Sequence, residues 1–109
     1  MILKLVEGKN RSKEWGNSRG DEDGVPSYFE KLCRDFAEKH EGIEITVISG
    51  DNLFNDGFRL MHAVGRASKN YPVFVNMKYN GNPKSDDWVA YVGKGVCFDA
   101  GGLDIKSGN

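Results

Sequence analysis

The sequence predicts an α/β domain, a mixed β-sheet flanked by helices, and three observations predict it. Phe29, Leu32, Cys33, Phe36 and Ala37 recur at the spacing of one face of an α-helix. Two segments, "IEITVIS" at 43–49 and "VFVNMKY" at 73–79, place apolar residues on alternate positions, the pattern of a strand that buries one face. Helix and strand patterns follow one another along the chain, an order that lets helices pack on a sheet.

Residues 1–23 open with Ile2, Leu3, Leu5 and Val6 and continue into a polar run ending in "NSRGDEDG", which reads as a loop. Its Arg19-Gly20-Asp21 tripeptide has the form of an adhesion motif, but three residues match by chance in many chains. The first helix begins near Ser27, where Glu30 three positions on completes a capping box and Pro26 suits a helix entrance. Glu41-Gly42 ends it. The strand at 43–49 runs into Gly50-Asp51, a turn and cap for "NLFNDG". "FRLMHAVG" then reads as a second short helix with Phe58 and Met61 inward and His62 beside them. In the next strand, 73–79, Val73, Val75, Met77 and Tyr79 share a face. "NGNPKSDD" is a turn, and "WVAYV" from Trp88 reads as a further strand, antiparallel to the one before it.

At 109 residues the chain is long enough for one domain with a small core. Fifteen basic against sixteen acidic residues give a net charge of −1, which supplies no broad attraction to nucleic acid or to an anionic membrane. No apolar run reaches the length of a membrane span, and the first six residues are too short and too soon charged for a secretory signal. The expected setting is cytoplasmic. Cys33 and Cys97 lie far apart without a second pair, so both read as reduced and buried rather than as part of a disulfide framework. His40 and His62 fit no zinc spacing, so a metal would rely on carboxylates.

Chemistry concentrates in "VGKGVCFDAGGLDIK", residues 92–106. Glycines after a predicted strand suggest a phosphate cradle. The details fail, because a dinucleotide fingerprint needs glycine where Phe98 stands and a phosphate-binding loop needs Ser or Thr where Gly95 stands. As a metal site, Asp99 is a hard oxygen donor beside Gly101-Gly102, which permit a tight backbone. Lys94 lies five residues earlier, and its amine ligates only when unprotonated. By spacing alone, a strand followed by a turn with a surface lysine is the better reading of these residues.

The same stretch resembles the leucyl aminopeptidase (cytosol aminopeptidase) family of two-metal exopeptidases, matching its motif without a gap. "AVGRAS", "YNGNP" and "NSRGD" are similar to segments that precede the motif in that family, so the resemblance covers about residues 11–109. It implies that Lys94 is a ligand of one metal, that Asp99 bridges both, and that Lys106 is a catalytic lysine steadying the developing oxyanion. It also implies two divalent ions (zinc, manganese or magnesium), peptide substrates with a free N-terminus, and a homo-hexamer. Ala100 departs from the family's Ser or Thr, and Ser107 from a common proline. Asp104 reads as a solvated neighbour rather than a ligand.

The family's remaining metal carboxylates, catalytic arginine and substrate pocket follow this motif in sequence. The expectation is therefore that residues 1–109 are the N-terminal portion of a larger metallo-aminopeptidase catalytic domain and are inactive alone. Within it, 1–23 is a leading segment and 24–109 is an α/β part ending in the first metal-binding loop. Two readings of other classes are a stand-alone interaction domain derived from a peptidase segment and a small anion or nucleotide binder.

Overall fold

The computed structural model describes residues 2–19 and 24–97. The chain divides into two compact units, one of Met1–Val25 and Lys94–Asn109, the other Pro26–Gly93.

In the first unit, helix α1 spans Ile2–Gly16. The sequence reading gave this stretch no helix, and the reason lies in its weak face: Ile2, Leu3, Leu5 and Val6 bunch at one end and stay exposed. Local propensity carries the helix instead, since Leu, Lys, Glu and Arg are strong helix formers that outweigh the cost of Gly8. The helix ends where the Asn17 N–H donates to the Lys13 and Glu14 carbonyls and the Ser18 hydroxyl donates to the Glu14 carbonyl. The Gly24 N–H donates to the Arg19 carbonyl at 2.7 Å. Gly20 and Asp21 of the adhesion-like tripeptide lie outside the described residues.

In the second unit, α2 spans Pro26–Lys39 and starts on proline, whose missing N–H is no loss in a first turn. Its exposed side carries two i,i+4 ion pairs, Lys31 to Asp35 at 2.6 Å and Arg34 to Glu30 at 2.8 Å. Gly42 ends the connection in the left-handed region (φ 81°), a backbone conformation that side chains rarely adopt.

Strands β1 (Ile43–Ser49) and β2 (Val73–Tyr79) form an antiparallel ladder running from Ile43 opposite Tyr79 to Ser49 opposite Val73. This register sets Ile43, Ile45, Val47, Val73, Val75, Met77 and Tyr79 on one face. Glu44, Thr46, Ile48, Phe74, Asn76 and Lys78 stand on the other. Helix α2 packs on both strands. Phe36 lines a groove with Ile43 and Tyr79, so the helix covers the first face.

Between the strands run α3 (Asn52–Asn55) and α4 (Arg59–Gly65). Leu53 of α3 is the one described side chain fully buried, and Phe58 stacks on Phe74 at 4.4 Å between ring centres, covering part of the second sheet face. Met61, expected inward, is exposed, as are Leu60 and Val64.

The α/β class stands, and the sheet among the described residues is a two-stranded antiparallel one. The expected strand from Trp88 is not formed: residues 88–92 have no regular structure, and Tyr91 and Val92 are each 95% exposed. The connection explains this. Residues 80–87 fold on themselves through local turns, with the Ser85 N–H donating to the Asn82 carbonyl, the Lys84 N–H to Asn82 Oδ1, and the Asp87 N–H to Ser85 Oγ. None of these bonds aligns the returning chain with β2, whose ladder is made with β1.

Candidate metal centre

Of the three site residues read from the sequence, the structure describes one. Lys94 sits in an irregular stretch with its side chain exposed, and among the described residues it has no hydrogen-bond or ion-pair partner. Gly93 and Gly95 flank it in open space: a Cβ added at either would meet no heavy atom within 4 Å. Their glycine character is therefore not demanded by crowding from the described residues. Asp99 and Lys106 lie outside the described residues, as do Ala100, Asp104 and Ser107.

The donor chemistry can be tested against a divalent cation. Among the described residues no three His, Cys, Asp or Glu side chains group closely enough to hold an ion. A lone exposed amine binds no dication, because a lysine coordinates only after losing its proton and hard cations take six or more oxygen or nitrogen ligands. The described residues by themselves do not fit a metal site, and the motif's carboxylate is needed for even a partial one.

Both cysteines are free and half-buried, and burial pushes each thiol above its ordinary range. A raised thiol holds little thiolate at neutral pH, so neither has the character of an activated nucleophile.

Two contacts had no signal in the sequence. His62 Nε2 lies 3.1 Å from Asp51 Oδ1, with the imidazole 15% exposed and the carboxylate almost wholly in water. The ring also meets Phe54 edge-on at 5.7 Å, and the Arg59 guanidinium lies over that phenyl at 5.2 Å. Asp51 stands at the expected cap position of α3, but its carboxylate makes no cap bond and instead ties α3 to α4. The second contact places the Lys78 ammonium 5.0 Å from the centre of the Trp88 ring. Residues ten or eleven positions apart carry no periodicity that would announce either pair.

The sequence profile of the cytosol aminopeptidase family, catalytic domain, matches residues 12–109. Among curated proteins, a probable cytosol aminopeptidase of Protochlamydia amoebophila is 33% identical over 105 residues, which are 96% of this chain and 21% of the relative. Those of Chlamydia caviae and Chlamydia abortus are 31% and 32% identical over 104 residues, covering 95% of the chain and 21% of each relative. The chain thus spans about a fifth of the length of these relatives. No solved structure matches it. Among the described residues no helix is long and apolar enough to cross a membrane.

Proposed function

This chain belongs to the cytosol aminopeptidase family, and we propose on that footing that it supplies the first metal-binding loop of an enzyme that releases N-terminal residues from peptides. The observation that carries the reading is the uninterrupted motif from Val92 to Lys106. In it an amine and a carboxylate five residues apart provide the two kinds of donor that a paired-cation hydrolase needs.

In this reading residues 1–109 are the front of the catalytic domain, with 1–23 leading into it. Lys94 offers a neutral nitrogen to one ion. Asp99 would offer its two carboxylate oxygens as hard donors to the ions. Lys106 keeps its proton and its positive charge, and places them where negative charge develops on the scissile carbonyl oxygen. The two divalent ions, zinc, manganese or magnesium, supply an acidified water and a polarised carbonyl when bound. Peptides with a free N-terminus are the substrates, a homo-hexamer the assembly and the cytoplasm the compartment. One amine and one carboxylate are too few to hold two ions, so the 109-residue chain is inactive alone.

The test is made on the full-length enzyme. Asp99→Ala should lose bound metal and peptide hydrolysis together. Lys106→Ala should retain metal and lower kcat by about 10²–10³, the usual loss for one oxyanion donor. Normal metal content and turnover in Asp99→Ala would overturn the assignment, and loss of metal in Lys106→Ala would make that lysine structural.

A further inference from the structure

We propose that Asn80 and Gly81, at the exit of β2, form a self-modification site at which the asparagine amide is converted, without an enzyme, to aspartate and isoaspartate. The site lies wholly within the Pro26–Gly93 unit and does not depend on the aminopeptidase reading.

The reaction asks three things of the chain: an asparagine outside regular structure, a following residue with no side chain to screen its nitrogen, and a main-chain N–H that no acceptor holds. Asn80 is the first residue beyond the β1–β2 ladder, and both it and Gly81 are exposed and outside any helix or strand. The Gly81 N–H donates to no acceptor among the described residues; the bonds of this turn run from the Lys84, Ser85 and Asp87 nitrogens to Asn82 and Ser85. The Tyr79 ring lies so close to Gly81 that an added Cβ would sit 2.7 Å from it, so the turn as folded is shaped around glycine.

No other described asparagine meets all three conditions. Asn10, Asn52 and Asn55 lie in helices, and the nitrogens after the last two are bound, Leu53 to the Gly50 carbonyl and Asp56 to the Asn52 carbonyl. The Ser18 nitrogen after Asn17 donates to the Trp15 carbonyl. Asn76 is held in the ladder opposite Thr46. Asn70 precedes the bulky Tyr71, and Asn82 precedes Pro83, whose nitrogen carries no hydrogen.

Hydroxide takes the proton from the Gly81 nitrogen, and the freed electron pair attacks Asn80 Cγ. The new N–Cγ bond closes a cyclic imide as the Cγ–Nδ2 bond breaks, and ammonia leaves with a proton taken from water, which restores the hydroxide. Water then opens the ring. Cleavage at Cγ leaves aspartate, whereas cleavage at the main-chain carbonyl of residue 80 leaves isoaspartate, with the main chain routed through the former side chain and longer by a methylene. Either product puts a carboxylate where a neutral amide stood and takes the net charge from −1 to −2. The new charge falls on a concavity of about 200 Å³ between Tyr79 and Trp88, where Asp87 is the one charged residue of the lining.

The test is incubation of the 109-residue chain at mildly alkaline pH, followed by isoelectric focusing and peptide mapping by mass spectrometry. An acidic species should accumulate at a rate proportional to hydroxide. The mass gain of an amide exchanged for an acid should appear first in the peptide holding Asn80, as two products that electron-transfer fragmentation separates into aspartate and isoaspartate. In Asn80→Gln, whose longer side chain must close a larger ring, that early acidic species should be lost. An unaltered Asn80, or an acidic species that persists in Asn80→Gln at the same rate, overturns the assignment. Equal rates at Asn80 and Asn17 in the folded chain overturn the claim that the unbound Gly81 N–H selects the site.

Discussion

Leu53→Ala should destabilise the Pro26–Gly93 unit more than any other single aliphatic truncation among its described residues. Leu53 is 0% exposed, and the chain closes tightly around it, with its N–H donating to the Gly50 carbonyl and its carbonyl accepting from the Phe58 N–H at 2.8 Å. Removing three carbons from such a site loses their transfer energy and leaves a cavity, at a cost of about 2–5 kcal/mol. A unit of this length is stable by only about 3–10 kcal/mol. In urea, with a slope of about 1 kcal/mol/M, the midpoint should fall by about 2 M or more, or the cooperative transition should vanish. Leu60→Ala is the internal control: its side chain is 85% exposed, so it should change stability by less than about 0.5 kcal/mol. Urea unfolding followed by far-UV circular dichroism reads both. Midpoints for the two variants within about 0.3 M of each other would refute the claim that the core centres on Leu53.

Gly65→Ala should also destabilise, because an added Cβ would sit 2.4 Å from the Pro72 Cβ. Overpacking of that kind costs about 1–3 kcal/mol, seen as a lower urea midpoint. Asp35 should titrate below the usual carboxylate range, because it accepts a hydrogen bond from the Lys31 ammonium and feels its charge, and Lys31→Met should return it to that range in a carboxyl-carbon NMR titration. The sign for stability follows: Asp35 contributes above the pKa of an unfolded aspartate and loses that contribution as pH falls through its lowered native value. Lys31, raised by the same hydrogen bond and then by the carboxylate's charge, contributes below the pKa of an unfolded lysine and loses its share as pH rises through the raised value.

The candidate site was legible only as a string. Lys94, Asp99 and Lys106 came from an ungapped motif, and the family match over residues 12–109 spans that stretch. Spacing alone gave no ligand set, since an amine and a carboxylate five apart also describe an ordinary strand and turn. The Lys78–Trp88 and His62–Asp51 contacts were invisible beforehand because each joins residues from separate elements, ten or eleven positions apart, that meet only once the intervening chain has folded.

Helix α2 and strands β1 and β2 were determined by the sequence itself, because their signals are local: a 3.6-residue recurrence from Phe29 to Ala37, and alternation over seven residues in each strand. Even the ends of α2 were written locally, in Pro26 and Gly42. Which strands pair was not local. "VFVNMKY" and "WVAYV" are equally good strands as strings, yet β2 takes β1 as its partner across the intervening α3 and α4. The tertiary structure decided this through contacts that no short window contains. Phe58 stacked on Phe74 and the buried Leu53 hold the α3–α4 crossover against the sheet, and α2 covers the opposite face. Residues 88–92, held back by turns that bond only to themselves, keep their apolar side chains in water because alternation says how a strand would face, not what it will meet.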